Sequence, residues 1–171
     1  MKTKHVIVED YNPNWISEFQ KIKSELLTIL NHKIIDIHHI GSTSVPQLFS
    51  KPIIDIDIEI NNNFNEVKLL LEGIGYIHEG NLGIDGREAF KYTNKAHLMK
   101  HHLYVLNKDS KELKRHLTFR DYLKNHIDDV KKYGAIKKEL AEKYPYDIDA
   151  YVEGKSQFIE NIYIKCGLYE I

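Results

Sequence analysis

The chain has 171 residues, of which 42% are apolar, and its 24 Lys and Arg residues nearly balance its 25 Asp and Glu residues. This length fits one domain with a real core, and the balanced charge argues against a broad surface for nucleic acid as a partner. The single cysteine, Cys166, excludes an intrachain disulfide and favours a reducing compartment. No run approaches the ~20 apolar residues of a membrane span, so we expect a cytoplasmic protein with no membrane partner.

The first part of the chain carries mainly strand patterns. Residues 6–8 are a short strand candidate, and a helix is expected from Asn12 and Pro13 onward, with apolar residues at helical spacing up to Leu30. The turn-rich segment 41–49 predicts a turn and a short helix, and 64–74 predicts an amphipathic helix. The remaining strands are expected over 34–40, 52–60, 76–79, 88–93 and 98–106. The last two are predicted to form a hairpin around Asn94 and Lys95.

The last part of the chain carries helical patterns only. Helices are expected over 111–125, 127–142 and 148–168, with Pro145 between the last two. Strands followed by helices are typical of an α+β fold. We therefore predict one domain over 1–171, with a sheet-containing core over 1–107 and a C-terminal helical cap over 108–171 packed on it.

Acidic residues alternate with isoleucine in the strand candidate 52–60. Because side chains of a strand alternate between its faces, one face carries the isoleucines and the other carries Asp55, Asp57 and Glu59. The strand is therefore expected to bury isoleucine and to keep its acids out of the core. Neighbouring carboxylates repel one another unless a cation is present, and Mg²⁺ is commonly held by one or two carboxylates and substrate phosphates. A face that is merely solvated is the alternative interpretation.

The dipeptide Gly41-Ser42 lies between a predicted strand and a predicted short helix. Backbone N–H groups at a helix N-terminus, together with a hydroxyl, can bind an anion. Gly41 permits close backbone approach, and Ser42 offers its oxygen to a phosphate. One strand end would then hold phosphate, and the next strand would hold the metal.

Several segments together resemble a known family. The pattern of Gly-Ser, a spacer and Asp-x-Asp on a strand resembles the polymerase-β-type nucleotidyltransferase superfamily, and nearly the whole chain resembles its GrpB branch, also called UPF0157. The segments that carry this resemblance are Tyr11-Asn12-Pro13-Asn14-Trp15, His39-Ile40-Gly41-Ser42-Thr43-Ser44-Val45-Pro46, Lys51-Pro52-Ile53-Ile54-Asp55-Ile56, Gly86-Arg87 with Phe90, His102-Leu103-Tyr104-Val105, His116-Leu117-Thr118-Phe119-Arg120-Asp121-Tyr122-Leu123, Tyr133 with Lys137, and Tyr151 with Lys155.

The resemblance implies a mixed β-sheet flanked by helices and a site for a nucleoside triphosphate. By that pattern Gly41 and Ser42 contact phosphate, and Asp55 and Asp57 are catalytic residues that bind Mg²⁺ or Mn²⁺. Such enzymes usually take a third carboxylate from a later strand, and here that strand has His102 and Tyr104 on the corresponding face. His102 would then serve as the general base, or the site would bind its ligand without turnover.

Four basic residues are the further candidates for substrate binding. The planar guanidinium groups of Arg87 and Arg120 suit phosphate, and Lys137 and Lys155 follow on later helices. If the cap folds over the sheet, all four would reach a triphosphate. An ion pair of Arg120 with its neighbour Asp121, and a solvated position for Lys137, are the structural alternatives.

The histidines at 97, 101 and 102 invite a zinc site, but no cysteine lies near them and the segment has a strand pattern. Three functions follow from the sequence. The first is an enzyme that binds a nucleoside triphosphate with Mg²⁺ and transfers the nucleotidyl group to an unidentified acceptor. The second is a module that binds a nucleotide or a phosphorylated metabolite related to coenzyme A without chemistry, since some relatives are fused to a kinase of coenzyme A biosynthesis. The third is a dimeric scaffold, a homodimer for example, whose sheet face contacts a protein.

Overall fold

The structure is a computed structural model that describes residues 4–168, so residues 1–3 and 169–171 of the predicted domain lie outside the described residues. The strands are β1 Asp36–Ile40, β2 Ile54–Ile60, β3 Ile77–Gly80, β4 Glu88–Lys91 and β5 His101–Asn107. The α-helices are α1 Asn14–Leu30, α2 Phe64–Glu72, α3 Lys111–Lys124, α4 Ile127–Lys143 and α5 Ile148–Lys165. Single 3-10 turns occupy Asn31–Lys33 and Ser42–Ser44.

The strands form one mixed sheet in the order β1-β2-β5-β4-β3. The central pair β2 and β5 is parallel, and the other neighbours are antiparallel. The predicted α+β class, with a mixed sheet flanked by helices, is therefore confirmed. Since β2 lies between β1 and β5, the acidic strand occupies an interior position of the sheet, where its two neighbours supply the side chains beside each carboxylate.

The isoleucine face of β2 carries the main core. All four isoleucines of this strand are at most 1% exposed. Helices α1 and α2 cover them with a stripe of residues at helical spacing: Trp15, Phe19, Ile22, Leu26, Leu30, Val67 and Leu71. The alternation read from the sequence thus sets which face packs against these helices.

Helices α3, α4 and α5 pack on the opposite, polar side and form a second core with the segment after β1. Its buried members are Val45, Leu48, Leu123, Val130 and Tyr133. Phe119 and Phe158 pack against them from α3 and α5. This cap covers the carboxylates of β2 and makes the site a crevice between sheet and cap. The expectation that the acids stay outside the interior is wrong for Asp57, which is 0% exposed under α3.

Two local predictions differ from the structure. The strand candidate at 6–8 is not a strand, because Val6 donates its N–H to the Pro145 carbonyl (2.7 Å) and only Glu9 forms a bridge, with Ser50. Strands β4 and β5 are antiparallel neighbours as predicted, but β5 begins at His101. The preceding loop turns inward instead, where the Lys95 ammonium donates to the Ile74 carbonyl at 2.7 Å.

Among residues 4–168, none of the helices has the length and apolar character that a membrane span requires.

Candidate functional site

The sheet register places the two candidate carboxylates beside two side chains of β5. Asp55 is paired with His102, and Asp57 is paired with Tyr104, so all four lie on the polar face. In a site with three carboxylates, the third carboxylate would come from β5. The structure has an imidazole and a phenol there instead.

Asp55 lies at the edge of the crevice and is partly exposed. His102 Nδ1 lies 3.0 Å from Asp55 Oδ1. Burial alone would raise the pKa of Asp55, but the hydrogen bond and charge of His102, together with Lys51 and His116, outweigh burial and lower it. The carboxylate is therefore ionised at neutral pH and available to a cation or to a hydrogen-bond donor.

Asp57 is held by a residue of the cap. His116 Nδ1 lies 2.6 Å from Asp57 Oδ2, and His116 Nε2 lies 3.0 Å from Glu112 Oε1. Burial would lower the pKa of His116, but its two carboxylate partners outweigh burial and raise it to about 9. The imidazole is thus protonated and donates to both acids. Asp57 Oδ1 remains buried without a hydrogen-bond partner in the described part of the chain.

Gly41 sits against the carboxylate of Asp55. Its φ is +71°, and a Cβ added there would overlap Asp55 Oδ2. Only glycine satisfies both the left-handed backbone and this close approach. The following turn at Ser42–Ser44 is a single 3-10 turn rather than a longer helix. It uses the N–H groups of Ser44 and Val45 internally, so the backbone contributes less to an anion site than the sequence predicted.

Three lysines and Ser42 line a cavity beside Asp55. The cavity has a volume of about 100 Å³, and its polar lining consists of Ser42, Ser50, Lys51, Asp55, His102, Lys137, Tyr151 and Lys155. Lys137 is 2% exposed, and its ammonium donates to the Ser42 hydroxyl and to the Phe49 carbonyl. The Lys155 ammonium lies 4.7 Å from the centre of the Tyr151 ring. Sheet, turn and two cap helices thus converge on one small space.

The lysine cavity has an excess of positive charge. Burial, and then the charge of Lys51, lower the pKa of Lys155 to about 8, and burial and Lys155 hold the pKa of Lys137 well below its usual range. Among the residues that the structure describes, these three lysines form no ion pair within 4.0 Å; Asp55 is the carboxylate in the cavity lining. An anion in the cavity would relieve this repulsion, which makes the cavity a candidate anion site.

The two arginines lie apart from the lysines. Arg87 lines a different cavity that also includes Asp55, and its guanidinium carbon lies 4.4 Å from the centre of the Tyr104 ring. Arg120 donates to Asp121 Oδ1 at 2.8 Å and to the His39 carbonyl at 3.1 Å. The structure therefore brings Ser42, Lys137 and Lys155 together, while Arg120 has the ion pair that the sequence left open.

The acidic and histidine residues do not form a preassembled metal centre. Across residues 4–168, no group of three or more His, Cys, Asp or Glu side chains is placed to hold a metal ion. His97 contacts Glu25 at 2.9 Å, and His101 contacts the Tyr76 hydroxyl at 2.7 Å. The three neighbouring histidines thus have separate partners, which leaves the zinc interpretation without support.

Two residues of the site had no predicted role, although both lie in segments that carry the family resemblance. Lys51 precedes the acidic strand and points to the same cavity as Lys137 and Lys155. His116 lies four residues after Glu112, a spacing that places both on one helix face. That spacing could have predicted the contact between Glu112 and His116. No local sequence feature indicates that α3 crosses over Asp57.

The fold is of the nucleotidyltransferase-like class. Solved structures of Cid1, titled a poly(U) polymerase, share the fold: the structure described as MgGTP bound aligns with a TM-score of 0.54 and 9% identity, covering 79% of this chain and 44% of that one. At this identity the likeness shows the fold alone. Within the class, the GrpB protein family profile matches residues 5–165, and the chain belongs to the GrpB family.

Relatives within and beside this family cover most of the chain. A GrpB protein from Enterococcus faecalis has a solved structure with a TM-score of 0.83 and 35% identity, covering 94% of this chain and 96% of that one. Glutamate-rich protein GrpB of Alkalihalophilus pseudofirmus is 38% identical, covering 92% of this chain and 93% of the relative. UPF0157 protein YqkA of Bacillus subtilis is also 38% identical over 88% of this chain, but the match spans only 44% of that protein's length. Dephospho-CoA kinase of Mycolicibacterium paratuberculosis is 24% identical over 89% of this chain, again across 44% of its length.

Proposed function

We propose that this protein binds the phosphate groups of a nucleoside triphosphate in the lysine cavity formed by Ser42, Lys51, Lys137 and Lys155. The observation that carries the proposal is that three lysine ammonium groups and a serine hydroxyl line one small cavity. Among the described side chains, Asp55 is the one carboxylate in the lining of this cavity. Ammonium groups and hydroxyls are the donors that phosphate oxygens accept from. The cavity fits a phosphate group and not a whole nucleotide, so the nucleoside would lie outside it.

The fold supports a nucleotide as the source of that phosphate. Structures of Cid1 with this fold are titled as bound to MgGTP and as an H336N mutant bound to MgATP. In this chain, Gly41, Ser42 and the acidic strand β2 stand in the order that the superfamily pattern requires. From Cid1 we carry over only the class of ligand, a nucleoside triphosphate. The base of the nucleotide and the acceptor are not carried over.

The residues present fit one divalent cation better than two. Asp57 Oδ1 is a buried carboxylate oxygen without a hydrogen-bond partner in the described residues, and Asp55 lies at the crevice on the same strand face. Two carboxylates with phosphate oxygens are a typical Mg²⁺ environment, whereas β5 offers no third acid for a second ion. Asp55 and Asp57 would hold Mg²⁺ or Mn²⁺. The ion would supply neutralisation of phosphate charge.

Nucleotidyl transfer to a hydroxyl acceptor is the enzymatic form of this proposal. The acceptor oxygen would form a bond to the α-phosphorus, the bond from that phosphorus to the bridging oxygen would break, and pyrophosphate would leave with the electron pair. The hydroxyl proton would pass to the hydrogen-bonded Asp55 and His102 pair; because His102 Nδ1 is engaged by Asp55, His102 would accept it at Nε2. Binding without turnover is the second candidate, favoured by Tyr104 at the position expected for the third acid.

A further candidate ligand is a phosphorylated metabolite related to coenzyme A. It is favoured by the similarity to a dephospho-CoA kinase. Both ligands would place phosphate in the same cavity. Only a comparison of their affinities, in a panel that contains both, therefore separates the two candidates.

The test is a panel of ATP, GTP, CTP, UTP, coenzyme A and dephospho-coenzyme A, each with and without Mg²⁺ or Mn²⁺. Melting temperature reports binding, and release of pyrophosphate reports transfer. A ligand at ~100 times its dissociation constant should stabilise the protein by ~2.7 kcal/mol. We expect at least one triphosphate to raise the melting temperature of the wild type. This shift should be lost in Lys155→Gln and kept in Lys21→Gln, the control variant, which changes an exposed lysine of α1. No shift with any ligand would contradict the proposal.

A further inference from the structure

A second cavity shares Asp55 with the lysine cavity and contains none of its lysines. It has a volume of about 220 Å³, and its lining includes Asp55, Arg87, Tyr104, Phe119 and Tyr163. Asp55 lines both cavities, so groups bound in the two cavities would both lie next to this carboxylate. Reaction between two bound groups requires that they be held within reach of one another.

Arg87 lines this cavity and carries a buried hydrogen-bond donor. Its Nε has no hydrogen-bond partner among the described residues, and its guanidinium carbon lies 4.4 Å from the centre of the Tyr104 ring. Stacking on an aromatic ring fixes the plane of the guanidinium and leaves its donors for a ligand. Buried donors in proteins are normally satisfied, so this one indicates a missing acceptor. The acceptor type that matches a guanidinium fork is a phosphate or carboxylate group.

The cap contributes His116 and two aromatic side chains to the lining. Phe119 of α3 and Tyr163 of α5 meet edge to face with ring centres 5.6 Å apart. These two rings supply apolar surface on the cap side of the cavity. Ligand sites usually exceed 300 Å³, so this cavity suits a ligand of only a few carbon atoms rather than a polynucleotide strand.

We infer that this second cavity binds the acceptor of the transfer, and that the acceptor is a small hydroxyl compound with one oxyanion group, either phosphate or carboxylate. Arg87 binds the oxyanion, the aromatic walls hold the carbon skeleton, and the hydroxyl faces Asp55. The inference rests on the proposed function, since the triphosphate occupies the lysine cavity. Transfer then follows the bond changes given above, with the hydroxyl proton taken by the Asp55 and His102 pair.

The experiment measures two affinities on the same protein by calorimetry. One is for α,β-methylene-ATP with Mg²⁺, which reports the lysine cavity. The other is for glycerol 3-phosphate, glycerate and glycerol in the presence of that analogue, which report the second cavity and separate phosphate, carboxylate and an uncharged control. We expect at least one anion to bind at least tenfold more tightly than glycerol. Arg87→Gln should weaken that anion at least tenfold more than it weakens the analogue, and Lys155→Gln should do the reverse.

Two results would overturn the inference. The first is that neither anion binds more tightly than glycerol although the analogue binds. The second is that Arg87→Gln weakens binding of the analogue as much as binding of the anion, which would make the second cavity part of the nucleotide site. Arg87→Lys, which keeps the charge but not the fork, should have intermediate affinity, and a melting curve shows that each variant is folded. If the analogue itself fails to bind, the proposed function is wrong, and the anions are then titrated without it. In that case binding no tighter than that of glycerol, or anion affinity unchanged in Arg87→Gln, overturns the inference for the second cavity.

Discussion

His116 of the cap donates a 2.6 Å hydrogen bond to Asp57 of the central strand, across 59 positions of sequence. The carboxylate is 0% exposed and the imidazole side chain is 16% exposed, so the pair is an almost buried ion pair between the two halves of the fold. Glu112 adds a second carboxylate at 3.0 Å on the far side of the ring. The helix that seals the site is thus anchored to the acid that the sequence marks as a metal ligand.

Removing this imidazole should destabilise the protein strongly. In His116→Leu, Asp57 stays buried without its donor, and breaking one partner of a buried pair typically costs ~3–5 kcal/mol. We expect a loss of that size in the free energy of unfolding, measured by urea denaturation in EDTA. His32→Leu changes an exposed histidine and should alter it by no more than ~0.5 kcal/mol. Equal losses in both variants would show that the pair contributes little.

The same pair predicts a pH dependence of stability. The pKa of His116 is about 9 in the folded protein, above its ordinary value of 6.5. A raised pKa contributes stability that is fully present below about pH 6.5 and is lost as the pH rises through 9. The difference in unfolding free energy between wild type and His116→Leu should therefore shrink between pH 6.5 and 9.5. A constant difference over this range would contradict the assignment of a proton to the folded imidazole.

Taking this difference between two proteins is necessary because other groups titrate as well. Burial lowers the pKa of Lys155 to about 8, which adds stability as the pH rises beyond that value. Burial also lowers the pKa values of His39 and His101 to about 4, which removes stability as the pH falls from 6.5 to 4. These contributions are common to wild type and variant and cancel in the comparison.

Gly41 should tolerate no side chain. In Gly41→Ala the Cβ would overlap the Asp55 carboxylate, and the φ of +71° is already unfavourable for alanine. The matched control is Gly75→Ala, with a φ of +95° and no atom within 4 Å of the added Cβ. Thermal denaturation should show ~1–3 kcal/mol of backbone strain in both variants and a further loss only in Gly41→Ala. Similar melting temperatures would mean that Asp55 moves aside without cost.

Anion affinity should fall at alkaline pH. Lys155 is protonated below a pKa of about 8, so its contribution to binding is lost as the pH rises through that value. Between pH 7.5 and 9.5 a triphosphate is fully ionised, and a decline in ATP affinity over this range therefore reports the protein. Lys155→Arg remains charged and should show a flatter profile in calorimetry. Parallel profiles for the two proteins would assign the decline to another group.

Strand β2 shows what the sequence can predict. Its strict alternation determines both its secondary structure and its faces, because the side-chain period of a strand is two wherever the strand lies. The three cap helices were also predicted to within a few residues, since helical spacing and the helix-ending Pro145 are local signals. Such features depend on neighbours in sequence.

Features that depend on distant neighbours could not be predicted in the same way. Residues 6–8 have strand composition, but Val6 meets Pro145 rather than a free sheet edge. The burial of Asp57 depends on where α3 crosses the sheet, and the separation of Arg87 from the lysines depends on which cavity each element lines. The family resemblance supplied the candidate residues, and the tertiary packing divides them between two cavities.

The central claim is that Lys51, Lys137 and Lys155 form a phosphate site. Calorimetric titration of inorganic pyrophosphate into wild type, Lys155→Gln and Lys21→Gln at pH 7 tests it most directly. Because hydrogen bonds to charged groups contribute ~1.5–3 kcal/mol, we predict saturable binding that is about 10- to 100-fold weaker in Lys155→Gln and unchanged in Lys21→Gln. No binding to wild type, or equal affinities in all three proteins, would contradict the claim.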